Sequence, residues 1–165
     1  MATIKVQVKK QEKDFHFRAQ NESGQTADID DATAYEDGVG SGVGPMQLLL
    51  MALGGCSGVD IMSILKKSRQ QIDRFDMEIT GQKPDGTSPS VYSNIHVRFV
   101  FEGEVEASKA RRAIELSLGK YCSVAATLGK SAEISYDYMV NGQLLDGETY
   151  HQTGTEKEDS VAIDD

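Results

Sequence analysis

The first thirty residues alternate between apolar and polar side chains in three short runs separated by polar turns. Alternation with a period of two is typical of half-buried strands, and three such runs in succession predict an antiparallel meander. The third run, residues 25–30, follows a turn at residues 21–24. The apolar positions of the first two runs are Ile4, Val6, Val8, Phe15, Phe17 and Ala19.

A long apolar segment follows a loop of residues 30–44 that is rich in aspartate and glycine. Pro45 suits the first turn of a helix, because the N–H that it lacks would have no partner there. We predict a helix over residues 46–69, bent or loosened at Gly54 and Gly55. Basic side chains fall in its last turn, where they offset the helix dipole.

The second half of the chain predicts three more strands and two helices. A helix over residues 105–120 and a short one over 122–128 show apolar positions every three to four residues. The core stripe of the longer helix is Ala110, Ile114, Ser117 with Leu118, and Tyr121. The inward positions of the strands are Phe75, Met77, Ile79, Ile95, Val97, Phe99, Phe101, Ile134, Tyr136, Tyr138 and Val140. The order β-β-β-α-β-β-α-α-β predicts one α+β domain over residues 1–141.

The composition of residues 43–65 raises the question whether this segment spans a membrane, because Gln47 and Asp60 are its only strongly polar side chains. A spanning helix takes about 20 apolar residues, so length alone permits one. The small residues at 54–58 and the charge of Asp60 argue against it. We therefore predict no membrane association and a helix buried on nearly all sides. Residues 48–53 are apolar on every side of the helix. One small sheet could not cover all of this apolar surface, which suggests a partner subunit.

Charge is spread unevenly along the 165 residues, whose formal net charge is −9. Residues 146–165 hold seven acidic side chains and one lysine. We predict that residues 142–165 form a flexible acidic tail, because such composition cannot bury a core. Nucleic acid is an unsuitable partner, since phosphate binding needs clustered lysine and arginine.

Cys56 and Cys122 are the only cysteines, which is too few for a disulfide-stapled secreted scaffold. Residues 1–13 lack the apolar stretch of a signal peptide, so we predict a cytoplasmic protein. Cys56 is flanked by small residues that leave room for backbone or ligand, and Cys122 stands at the join of two helical segments. Thiol redox chemistry is the leading hypothesis, and the alternative is that both cysteines are inert packing residues.

Other chemistry has less support in the sequence. None of the short Cys/His spacings of zinc sites occurs, so we predict no metal. His16 and His96 lie on predicted strand faces, where surface or hydrogen-bonded roles are expected. The glycine-rich residues 38–44 precede a helix but lack the Gly-Lys-Ser/Thr ending of a phosphate loop.

Two segments, residues 44–56 (GPMQLLLMALGGC) and 121–124 (YCSV), resemble the OsmC/Ohr superfamily of osmotically inducible and organic hydroperoxide resistance proteins. The resemblance covers residues 1–141 and favours the OsmC-like branch. It implies an intertwined homodimer in which antiparallel sheets wrap around central helices. It also implies a thiol-dependent peroxidase for oxidative-stress defence, with Cys56 as the peroxidatic and Cys122 as the resolving cysteine. An external thiol or dithiol would be the reductant, and no cofactor is implied.

The chain departs from that family at the residues that hold the reactive thiol. The best-known peroxidases carry a glutamate directly after the proline, where this chain has Met46 and then Gln47. Arg18 does not fall in the register of the family's arginine, so we do not assign a Glu/Arg pair. Asp60 lies four residues after Cys56, on the same face of a continuous helix. It is either a structural hydrogen-bonding residue or an orienting group that replaces the glutamate.

These departures keep a second function open. A non-catalytic OsmC-like protein would bind a hydrophobic small molecule at the dimer interface, beside the apolar helix. A different thiol enzyme, such as an acyl transferase, has less support because no histidine lies near Cys56 in the sequence.

Overall fold

The computed structural model describes residues 1–150, which form two compact units, Met1–Ala52 and a second that begins at Leu53. The first unit contains the predicted meander, β1 (Val6–Lys10), β2 (Phe17–Asn21) and β3 (Thr26–Ile29), paired antiparallel in the order β1-β2-β3. Alternation therefore predicted these strands and their pairing correctly, but the half-buried face that it indicates is not covered in the single chain, where every residue of β1 is exposed.

The loop after β3 is organised by one buried carboxylate. Asp30 is 1% exposed and accepts hydrogen bonds from the N–H of Ser41 at 2.7 Å, the N–H of Asp31 at 2.8 Å and the hydroxyl of Tyr35 at 3.0 Å. Burial acts to raise the pKa of Asp30, but the donors at Ser41, Tyr35 and Asp31 together lower it below its ordinary value. The charged form thus fixes a segment that contains only a short 3₁₀ turn, Ala32–Ala34.

α1 (Pro45–Lys67) is continuous through Gly54 and Gly55, so the predicted bend is wrong. The glycines act as spacers instead. A Cβ on Gly54 would lie 2.9 Å from Cδ1 of Ile79, and one on Gly58 would lie 2.9 Å from Cε of Met77. Gly55 faces open space. The helix therefore packs closely on β4 along a glycine face.

Burial of α1 on nearly all sides, predicted for the central element of a larger assembly, stays a prediction, because the single chain covers only one stripe of the helix. Its buried residues form one stripe, namely Leu53, Gly54, Ser57, Gly58, Ile61 and Leu65. Val59 is 73% exposed and Met51 54%. By length and composition α1 could cross a membrane, a test that the core helix of a soluble protein also passes.

The second sheet has the order β4-β5-β6-β7, with β8 also paired to β6. Its strands are β4 (Gln71–Gln82), β5 (Asn94–Glu104), β6 (Glu133–Val140), β7 (Gln143–Leu145) and β8 (Thr149–Tyr150). β4 and β5 pair antiparallel, but β5 and β6 pair parallel, so the expectation of antiparallel sheets needs correction. The parallel pair arises because the helices between β5 and β6 carry the chain back to the same end of the sheet. The inward positions predicted on β5 and β6 are all buried.

The sheet continues beyond the predicted domain end at residue 141. Asn141 and Gly142 have φ of 49° and 81°, and they join β6 to β7 in a two-residue hairpin. Asn-Gly is the sequence preferred for such a turn. The first part of the predicted acidic tail thus pairs with β6, whereas residues 151–165 lie outside the described residues.

The predicted helix over 105–120 is divided in two. α2 (Ala107–Leu116) is followed by a π-helical segment, Ser117–Tyr121, and then by α3 (Ser123–Leu128). The wide turn is closed by the N–H of Cys122, which donates to the carbonyl of Ser117 at 2.8 Å. The extra residue rotates Tyr121 out of the core stripe, and its exposure of 50% contradicts the prediction that it is buried.

Gly81 on β4 provides a test of the sheet packing. A Cβ there would lie 2.4 Å from Cε1 of the Tyr92 ring, so Gly81→Ala overpacks a stiff neighbour. We expect the free energy of unfolding to fall by about 1–3 kcal/mol, measured by denaturant titration. Thr80→Ala, on the opposite and exposed side of the strand, is the matched control. Equal stability of Gly81→Ala and the wild type would contradict this packing.

Candidate functional site

The structure brings Cys56 and Cys122 together within the second unit. The two sulfurs and one carboxylate oxygen of Asp60 all lie within 4.8 Å of one another. Cys56 and Asp60 are one turn apart on α1, while Cys122 comes from the start of α3. The cluster therefore unites residues that are 66 positions apart in the sequence.

The two thiols differ in accessibility. Cys56 is half-buried, and Cys122 is buried, with 2% of its surface exposed. Cys122 is the N-cap of α3, and its sulfur accepts a hydrogen bond from the N–H of Ala125 at 3.3 Å. This contact fixes the direction of the buried sulfur.

Burial also sets the protonation of Cys122. Loss of solvent raises the pKa of its thiol to about 12, and the neighbouring Cys56 contributes in the same direction. The N–H of Ala125 acts the other way, without reversing the shift. Cys122 is therefore a neutral thiol at physiological pH.

Asp60 is held by Ser117, which the sequence analysis placed in the core stripe without giving it a role at the site. Ser117 is fully buried, and its hydroxyl lies 3.2 Å from Oδ2 of Asp60 and 3.3 Å from the carbonyl oxygen of Ser57. Its single proton is shared between these two acceptors. Because Ser117 begins the π-helical segment, that segment connects directly to the helix that carries Cys56 and Asp60. A serine in an apolar helical stripe was the available sequence signal.

A cleft of about 480 Å³ extends from Asp60 along α1. Ile64 and Leu116 supply apolar walls, and Lys67 and Tyr121 lie at its margin. The cleft offers an apolar surface with one cation beside the cluster.

The other residues considered in the sequence have structural partners. Gln47 accepts a hydrogen bond from the N–H of Gly44 at 2.9 Å, at the start of α1. Arg18 forms a two-point contact with Asp28, at 2.9 and 3.1 Å. His16 also contacts Asp28, and His96 lies 2.9 Å from the hydroxyl of Ser135, so both histidines are hydrogen-bonded as expected.

Comparison with known proteins defines the class. A family model described as OsmC-like protein matches residues 38–137. The chain therefore belongs to the OsmC-like protein family, as its sequence motifs indicate. Protein YhfA of Escherichia coli K12 is 37% identical over 97 residues, which are 58% of this chain and 72% of YhfA.

Solved structures support the same fold. A hypothetical protein from Aquifex aeolicus has a TM-score of 0.75 and 29% identity, covering 86% of this chain and 98% of its own. An organic hydroperoxide resistance protein, OsmC, from Legionella pneumophila has a TM-score of 0.60 and 10% identity, with 85% and 97% covered. The second likeness is one of fold alone. The catalytic roles of Cys56 and Cys122 stay a prediction.

The difference in burial predicts unequal alkylation of the two thiols. The thiolate is the reactive form, so we expect a maleimide at neutral pH to modify Cys122 more than roughly a hundredfold more slowly than Cys56. Peptide mass spectrometry over time measures both rates. In denaturant the two rates should become similar, which serves as the control. Equal rates in the folded protein would show that Cys122 is not held as a buried neutral thiol.

Proposed function

We propose that this protein is a thiol-dependent peroxidase that reduces hydroperoxides through Cys56 and Cys122. The observation that carries the proposal is the approach of the two sulfurs within 4.8 Å. Membership of the OsmC-like family supports it, as do structural neighbours named for organic hydroperoxide resistance.

The reaction follows from ordinary thiol chemistry. The Cys56 thiolate attacks one oxygen of the hydroperoxide, the O–O bond breaks, and the other oxygen leaves as an alcohol after taking up a proton. Cys56 becomes a sulfenic acid, and the Cys122 thiol then displaces its hydroxyl as water to form a disulfide. An external thiol or dithiol supplies two electrons and returns both cysteines to thiols by exchange.

The geometry assigns different roles to the two cysteines. Cys56 is the more exposed sulfur and so meets the peroxide. Cys122 is buried and neutral, which protects it from direct oxidation until a sulfenic acid forms beside it. Asp60 is the carboxylate of the cluster, and we assign it the orientation of the thiols and the transfer of the Cys122 proton to the hydroxyl that leaves as water during disulfide formation. The hydroxyl of Ser117 keeps Asp60 in place.

The apolar walls of the cleft favour an organic hydroperoxide over hydrogen peroxide. Ile64 and Leu116 line the cleft and can contact an alkyl group, and Asp60 is the residue that the cleft shares with the cysteine cluster. We place this activity in oxidative-stress defence in the cytoplasm, where reduced thiols are the norm.

We further propose that the protein is a homodimer. Val59 and Met51 on α1 are exposed in the single chain, as are Val6 and Val8 on β1. Met51, Val59 and Met62 share one exposed face of α1, and a contiguous apolar face of this kind marks a contact surface. A second copy of the chain is the partner that the family resemblance implies.

A non-catalytic function is the second candidate. Met46 stands where well-known peroxidases of the family carry a glutamate, and the cleft beside Asp60 is large enough for a small hydrophobic molecule. Such a protein would bind a ligand there without consuming peroxide.

Stoichiometric cumene hydroperoxide should convert the reduced protein to a form with one intramolecular disulfide, seen as the loss of two thiols in intact mass spectrometry. Cys56→Ser should abolish turnover because no sulfur then attacks the O–O bond. Cys122→Ser should complete a single reduction and accumulate a sulfenic acid that dimedone traps. Peroxide consumption no faster than by free thiol would reject the peroxidase in favour of the binding protein.

The dimer is tested by placing a charge on the exposed face of α1. Val59→Glu should lower the sedimentation mass from two chains to one, because burying an unpaired carboxylate at an interface is unfavourable. Lys130→Glu, at an exposed residue outside α1, is the control and should remain dimeric. A monomeric wild type, or a dimeric Val59→Glu, would contradict this assembly.

A further inference from the structure

The cluster of Cys56, Asp60 and Cys122 has a second chemical capacity besides redox. We propose that these three side chains form a binding site for a soft divalent cation such as Zn²⁺ or Cd²⁺, which blocks both sulfurs while it is bound. This inference does not rest on the proposed peroxidase activity, because it concerns the affinity of the reduced protein for a metal.

The spacing of the ligand atoms suits such an ion. Zinc holds sulfur at about 2.3 Å and carboxylate oxygen at about 2.0–2.2 Å, so two sulfurs on one tetrahedral ion lie roughly 3.8 Å apart. The three ligand atoms are already within 4.8 Å of one another, so a small rotation of the Cys56 side chain would close the remaining gap. Three protein ligands leave a fourth position for water.

The ligand types decide which ions fit. Two thiolates select soft cations, whereas Mg²⁺ and Ca²⁺ prefer sites made wholly of oxygen. The carboxylate of Asp60 adds a harder ligand, which zinc and cadmium accept. The ion would also offset the charge that two thiolates and a carboxylate would otherwise bring into a half-buried site.

The surroundings of the ligands support the inference independently. Metal ligands are usually oriented by hydrogen bonds from a second layer of groups. Here the buried hydroxyl of Ser117 reaches Oδ2 of Asp60 at 3.2 Å, and the N–H of Ala125 donates to the sulfur of Cys122 at 3.3 Å. Two of the three ligands are thus already held in direction.

The sequence analysis predicted no metal because no short Cys/His spacing occurs. That argument covers sites in which ligands are close in the chain, and this cluster unites α1 with the start of α3. No histidine of residues 1–150 belongs to it. Ligands contributed by separate elements are invisible to spacing rules.

Titration of the reduced full-length protein with Cd²⁺ under anaerobic conditions tests the site. We expect thiolate-to-cadmium absorption in the ultraviolet that saturates at one ion per chain, is displaced by Zn²⁺ and is unaffected by Mg²⁺. Cys56→Ser and Cys122→Ser should each lose most of the absorption. Asp60→Asn should keep it with affinity lowered roughly tenfold or more, and Ser117→Ala should weaken binding by a similar factor. Asp85→Asn, in an exposed loop, is the matched control and should bind as the wild type does.

A measurement on the wild type alone guards against variants that fail to fold. One equivalent of Zn²⁺ should protect Cys56 from a maleimide, and a chelator should restore its reactivity. Absence of charge-transfer absorption, unchanged affinity in Cys122→Ser or Asp60→Asn, or unprotected Cys56 would overturn the proposal. If the protein binds zinc but reduces no peroxide, the peroxidase proposal fails and the metal site stands. If it reduces peroxide but binds no zinc, the metal site fails and the peroxidase proposal stands.

Discussion

The arrangement of the cysteines depends on the contact between α1 and the π-helical segment that follows α2. A fully buried hydroxyl, that of Ser117, lies between Asp60 and the carbonyl of Ser57 and joins the two elements. A buried polar group without partners would be unfavourable, so this contact restricts how the elements can sit against each other. Cys56 and Asp60 on one side and Cys122 on the other are positioned by that restriction.

The glycine face of α1 also helps to position Cys56 and Asp60, through the contact of the helix with β4. Gly54 and Gly58 let the helix approach β4 closely enough for Ile79 and Met77 to pack against its backbone. The sequence suggested that glycine near Cys56 provides access for a ligand. Gly54 and Gly58 serve helix–sheet packing, which leaves Cys56 half-buried, whereas Gly55, directly before Cys56, faces the open space that this expectation requires.

Sequence reasoning was most successful where one pattern dominates. Alternation predicted the inner faces of β5 and β6, because side chains of a strand point to opposite faces whatever surrounds it. Sequence reasoning was less successful at Tyr121. The π-helical segment shifts the apolar stripe by one residue, and no local sequence pattern indicates such a segment. The Asn141-Gly142 turn could have been predicted from the dipeptide alone. The family motifs drew attention to both cysteines, whereas Ser117 could be linked to Asp60 only by tertiary structure.

The wide turn of Ser117–Tyr121 also constrains how this chain can vary in length. In a regular α-helix each residue advances the chain by 1.5 Å and about 100°. Deleting one residue from this turn would restore regular winding and swing the following thiol to another side of the helical axis. The need to keep that sulfur facing α1 therefore constrains the number of residues between Ile114 and Cys122.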